Sequence, residues 1–161
     1  LMKLGVLLGD VYPADVFQLR REPTSWKWDE LGDDVRHEIR PPSRTASKVA
    51  LKLELSASIS DQRVIDVLGQ DCSIWSVTHP NPGNDYIRKR SHLEDVRTVF
   101  RTVMKQIKSL SPEPQEIHVF PAMPLSTAVE FGRVRMPKAD PNLIVYDEYK
   151  GFHHALTIER K

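Results

Sequence analysis

The chain has 161 residues, of which 40% are hydrophobic and 28% charged, with a formal net charge of +1. This length and mix fit one soluble globular domain with its own core, and they exclude a disordered or fibrous chain. The near-neutral balance supplies no global basic field, so direct binding to long nucleic acid is not expected, while a small, locally held anion stays open.

Cys72 is the only cysteine, which rules out an intramolecular disulfide and fits a reducing compartment, so a cytoplasmic location is expected. The chain opens on Leu-Met without a targeting pattern, as a piece of something longer would. Its first apolar run, LGVLL at 4–8, is too short for a secretory core or a membrane span and reads as a short strand. ADVFQLRR at 14–21 is an element of unassigned type. EPTSWKWDELGDD at 22–34 mixes turn formers with Trp26 and Trp28. Those rings are able to stack a base, but beside Asp29 and Glu30 they read as a packed local anchor. RPPSRT at 40–45 is a break, with Pro41-Pro42 as the boundary before better-ordered chain.

In KVALKLELSAS at 48–58, Val49, Leu51, Leu53 and Leu55 alternate with Lys52, Glu54 and Ser56. Period two argues strand, although Ala, Leu, Lys and Glu are also good helix formers. DQRVIDVLG at 61–69 reads as a short helix stopped by glycine, SIWSVT at 73–78 as a strand, and HPNPGND at 79–85 as a loop. Ser91 to Leu110 is the clearest helix. Leu93, Val96, Phe100, Val103, Ile107 and Leu110 make one apolar stripe, and Ser91 with Glu94 forms a capping-box pattern. Arg97, Arg101, Lys105 and Lys108 fall largely off the stripe and read as a solvated face. After SPEP at 111–114, Ile117 to Phe120 form a strand, and a helix begins near Pro124 to Ser126. NLIVYDEY at 142–149 and HALTIER at 154–160 are strands around a turn at Lys150-Gly151. The order predicts an α/β fold with a mostly parallel central sheet flanked by helices and an antiparallel edge.

In such sheets ligands settle at the carboxyl ends of strands. The turn Pro121 to Thr127 is such a place, because free N–H groups at a helix start suit a phosphate. Ser126 and Thr127 can either cap that helix or touch a bound oxygen, and a capped helix without ligand fits the residues as well.

IHVFPAMPLSTAVEFGRVRMPKADPNLIVYDEY at 117–149 resembles the C-terminal signature of the SAVED domain. That signature has a strand ending in Phe-Pro, a helix with Gly-Arg near its end, a Pro-Lys, and an apolar strand ending in tyrosine and acidic residues. VALKLELSAS at 49–58 is similar to the family's other ligand-loop strand, and 90–107 to its long intervening helix, so the likeness spans roughly 45–161. The resemblance implies a CARF-like Rossmann module, the sensor of CBASS- and CRISPR-type anti-phage effectors. Such a module binds a cyclic oligonucleotide made by a cGAS-like cyclase. It implies ligand-driven assembly into a homo-oligomer that switches on a fused or partner effector, such as an HNH-type nuclease, a TIR domain or a protease. It further implies that 45–161 is the C-terminal half of a SAVED domain, with 1–44 a connecting segment or the end of the preceding half. The first half and the effector are then expected outside this chain.

Carried onto this sequence, the ligand-binding residues are Ser56, Ala57 and Ser58 after the first strand, and Pro121, Ala122, Met123 and Ser126 after the other. Ser56 and Ser58 serve equally as strand-end caps, and Met123 equally as core. Gly132 is expected to let its helix approach the sheet. No catalytic residue, cofactor or metal is expected. Ser126 lacks a G-x-S-x-G elbow, His153 and His154 are adjacent on a strand and point apart, and no G-x-G-x-x-G is present. The rival readings are a small catalytic α/β domain cleaving a cyclic nucleotide or other phosphodiester, and a purely structural interaction domain.

Overall fold

The computed structural model describes residues 1–30, 34–110 and 112–160. Parts of the expected turn stretch at 22–34 and of SPEP at 111–114 therefore lie outside the described residues. In chain order come helix α1 (Met2–Leu8), the short strands β1 (Arg20–Arg21) and β2 (Thr24–Ser25), β3 (Glu38–Arg40), β4 (Lys48–Glu54) and α2 (Asp61–Leu68). Then follow β5 (Cys72–Thr78), α3 (Arg90–Lys108), β6 (Glu116–Ala122), α4 (Leu125–Val134), β7 (Asn142–Glu148) and β8 (Phe152–Ile158).

Six strands make one sheet in the order β3-β5-β4-β6-β7-β8. The inner neighbours β5, β4, β6 and β7 run parallel, and β3 and β8 close the two edges antiparallel. The expected α/β architecture is therefore present, with an antiparallel strand on both edges. Strand β3 belongs to this sheet although it precedes Pro41-Pro42, where a break was expected. At the last turn Lys150 and Gly151 take positive φ, as the expected tight reversal between β7 and β8 needs.

Strand β4 lies in the middle, so both of its faces are covered. Val49, Leu51, Leu53 and Leu55 join α3 and α4 in one core with Trp75, Val77, Ile117, Val119 and Leu143. Ala50 lies on the other face with Val64 and Leu68 of α2 and the aromatic group Phe120, Tyr146 and Phe152. On α3 the expected stripe from Leu93 to Ile107 is buried, and Phe100 meets Phe131 of α4 edge to face at 5.0 Å.

Several expectations give way to packing. LGVLL is helical, not a strand. Seven residues are too few for propensity to settle, and α1 exists because it lies against α4. Gly132 serves that contact and not an approach to the sheet, since a Cβ on it would strike the backbone of Met2, Gly5 and Val6. Helix α3 starts at Arg90 with Lys89 at its cap and no side-chain capping bond, so the Ser91–Glu94 box does not form. The basic face of α3 is largely paired. Arg97 bridges Asp10 and Glu130, Arg101 pairs with Asp10, and Lys108 reaches buried Asp140 at 2.5 Å. Arg133, beside Gly132, donates to the carbonyls of Gly9, Tyr12 and Ala14 and so ties the segment after α1 onto α4. Trp28 stacks on Phe17 at 5.6 Å as an anchor should, whereas Trp26 stays exposed.

Candidate functional site

The chain leaves β4 through α2 to β5 on one side, and α3 then carries it across to β6 on the other side of β4. The strand order reverses between β4 and β6, and in a parallel sheet that is where a crevice opens beyond the strand ends. Residues 56–58 and 121–123 lie at the ends of β4 and β6, on either side of this reversal. The Leu55 and Ser56 amides both donate to the Ala122 carbonyl at 2.8 Å, so the loops after β4 and β6 meet at one oxygen. Ala57 and Ser58 are exposed, and their backbone N–H groups have no partner among the described residues.

The β4–α2 loop is held from beneath. The Glu54 carboxylate accepts from the Ile59 amide at 2.6 Å. The Lys52 ammonium donates to the Ile59 carbonyl at 2.8 Å and to Asp61 at 2.7 Å, and lies 3.5 Å from Glu54. Both Lys52 and Glu54 are buried. A buried charge is tolerated when it is paired and hydrogen-bonded, and here the pair fixes both ends of the exposed loop between them.

The expected residues do not share one cavity. Ser58 lines a cleft of about 320 Å³ with Glu38, Arg40, Thr78 and His79. Pro121 and Met123 line a second space of about 320 Å³ with Tyr146, Asp147, Ala155 and Leu156. Met123 packs against the core as well, so it is part wall and part filler.

Ser126 lies elsewhere. It is 3% exposed, and its amide and hydroxyl both donate to Gln18 Oε1, at 3.2 and 2.7 Å. Gln18 thereby stands where a side-chain cap of α4 normally would, and Pro124 at the N-cap makes no side-chain bond. Thr127 closes on the Pro124 carbonyl at 2.7 Å. Both hydroxyls are used inside the protein.

Beside the Ser58 cleft is a cluster not read from the sequence. His79 stacks on Tyr86 at 4.3 Å, and His37 Nε2 lies 3.1 Å from the Tyr86 hydroxyl. Burial, then the positive fields of His79 and His92, pushes the His37 ring down to about 4, so it is neutral at pH 7. Burial raises the Tyr86 hydroxyl above its usual value and keeps it protonated. His37 lies 49 positions before Tyr86, so no local motif announces the cluster.

A family model described as "SMODS-associated and fused to various effectors sensor domain" (SAVED) matches residues 1–158. Among solved structures, the chain is similar to the Cap4 SAVED/CARF-domain containing receptor of Acinetobacter baumannii with the cyclic trinucleotide 3'3'3'-cAAA. The TM-score is 0.55 at 10% identity, over 81% of this chain and 28% of that one. The same receptor with 2'3'3'-cAAA gives a TM-score of 0.53 at 8% identity, again over 81% and 28%. These likenesses show a shared fold, and the chain spans little more than a quarter of the receptor's length. No curated protein matches the chain significantly. No helix among the described residues is long and apolar enough to cross a membrane.

Proposed function

The chain belongs to the SAVED family of sensor domains, and from that premise we propose that it binds a cyclic oligonucleotide at the β4–β6 reversal. The observation that carries this is the pair of unpartnered, exposed amides at Ala57 and Ser58, beside the Ser56 and Ser58 hydroxyls. Outward N–H groups and hydroxyls at a strand end are what a phosphodiester oxygen needs. Pro121, Ala122 and Met123 lie at the end of the neighbouring strand β6, where Met123 offers a soft apolar surface to a base. Ser126 sits one layer below, behind Gln18.

The rest of the reading concerns the parent protein. The module is a cytoplasmic sensor without catalysis, cofactor or metal. Residues 45–161 act as the C-terminal CARF-like half, with 1–44 joining it to what precedes. The first half and an effector lie outside this chain. Ligand bridges the halves, drives homo-oligomer assembly and switches the effector on in anti-phage defence. The family membership and the fold shared with a longer receptor support this.

The test is calorimetric titration with cyclic di-, tri- and tetranucleotides, on this chain and on its parent. One panel member should bind and be recovered unchanged, with association seen by light scattering. Ala57→Asp, which puts a carboxylate among the amides, should lower affinity at least tenfold. Recovery of a linear product would favour the catalytic rival, and no binding by any member would overturn the reading.

A further inference from the structure

The β1–β2 hairpin is pinned against the loop that follows β5. Asp85 in that loop accepts from the Arg21 amide at 3.0 and 3.2 Å and from the Glu22 amide at 3.2 Å. Arg20 makes paired bonds to Asp29 at 2.8 and 2.9 Å, and the Asp29 amide donates to the Arg88 carbonyl at 2.9 Å. These ties hold open a cavity of about 270 Å³ whose walls include Phe17, Arg21, Trp26, Asn84 and Leu125. Leu125 also lines the space beside Pro121 and Met123, so the two cavities adjoin on the strand-end side of the sheet.

Gln18 in its wall is engaged with Ser126 and Leu19, but two other polar side chains there are not. The Arg21 guanidinium and the Asn84 carboxamide have no partner among the described residues. Trp26 is 58% exposed, whereas Trp75 is buried and Trp28 stacks on Phe17. Folding gains little from leaving an indole in water, and a single exposed aromatic is unremarkable alone. Here, however, the indole stands beside a free carboxamide and a free guanidinium, on a frame held by charge-assisted bonds. An indole face takes a nucleobase by stacking. A carboxamide pairs a donor with an acceptor and matches the N6/N7 edge of adenine. A guanidinium takes the adjoining phosphate.

We infer that Trp26, Asn84 and Arg21 form a seat for one base of the bound nucleotide, with adenine preferred. The inference rests on the sensor reading above and adds to it a second contact region fed by the N-terminal segment. A ligand with one base in this seat has its phosphate near Arg21, and its ring continues past Leu125 toward Met123.

The full chain is titrated with 3'3'-cyclic diadenylate, 3'3'3'-cyclic triadenylate and their uracil counterparts, following heat and tryptophan fluorescence. Binding of an adenine ring should quench Trp26. Trp26→Ala should weaken binding about tenfold or more, with Trp26→Phe retaining most of the affinity. Asn84→Ala should narrow the preference for adenine over uracil, and far-ultraviolet circular dichroism checks that each variant is folded. If the chain binds and Trp26→Ala changes neither affinity nor quenching, the seat is overturned while the sensor reading stands. If none of these probes nor the wider panel binds, both fall.

Discussion

Gly5 of α1 and Gly132 of α4 meet backbone to backbone. A methyl added at Gly132 would stand 3.0 Å from Gly5 Cα and 2.8 Å from Val6 N, and would overlap the Met2 carbonyl oxygen. All three neighbours are backbone atoms, which cannot swing aside as a flexible side chain can. Gly132→Ala should therefore cost about 1–3 kcal/mol through overpacking, despite alanine's better helix propensity. Thermal unfolding gives the loss, and hydrogen exchange should place it in α1. The double variant with Gly5→Ala should cost less than the sum, because either methyl already displaces the same helix. An unchanged Tm for Gly132→Ala would refute the close crossing.

Among the described residues, Gln18 is the one acceptor for the buried Ser126 amide. Gln18→Ala leaves that donor dry and unpaired, a loss of about 1–3 kcal/mol. Gln18→Glu keeps the acceptor at the positive end of α4 but buries a carboxylate and gives up the donor to the Leu19 carbonyl, so it should recover only part of the loss. Urea unfolding of the two variants distinguishes them. Equal destabilisation by both would mean that the contact does not hold the helix start.

The Lys52–Glu54 pair separates from its exposed neighbour in a similar comparison. Lys52→Met strips a buried carboxylate of its cation and should lower stability by about 3 kcal/mol. Asp61 is largely exposed, and Asp61→Asn should cost less than about 1 kcal/mol. Lys52→Met should also speed proteolysis between Leu55 and Ser60, since Lys52 holds the Ile59 carbonyl. Resistance equal to wild type would show the loop is held otherwise.

His37 sets an acid limit. Its ring titrates near 4 when folded, against 6.5 for the ordinary side chain, because burial and then His79 and His92 disfavour the charged form. Between those values the unfolded chain takes up a proton that the folded chain refuses. Stability therefore falls as pH drops from about 6.5 toward 4 and levels off below, on the order of 2 kcal/mol after discounting for the part-exposed ring. His37→Gln should flatten the unfolding free energy across that window. An identical slope in the variant would assign the acid sensitivity to other groups.

What could be read beforehand follows from how locally each feature is encoded. The alternation from Val49 to Leu55 located β4, yet Ala50, Lys52 and Glu54 on its other side are buried too. Lysine and glutamate usually signal solvent, and only the sheet's second layer shows that these two neutralise each other. Helix α3 was legible because five turns of stripe outweigh any cap, and α1 was not, because its helicity depends on Gly132 more than a hundred residues away. Residues 56–58 follow β4, while Pro121 and Ala122, expected in the turn, are the last residues of β6 because they continue its pairing with β4. The burial of Ser126 was illegible for a simple reason, since its partner Gln18 is 108 positions upstream. Trp26 and Asn84 carry no mutual spacing signal for the same reason.

A single oxygen, the carbonyl of Ala122, holds the chain leaving β4 to the chain leaving β6. The two loops are thereby coupled at their starting points, where the pairing of the two strands ends. A displacement of the β4–α2 loop would therefore reach the end of β6 through two backbone bonds, without passing through the packed helices.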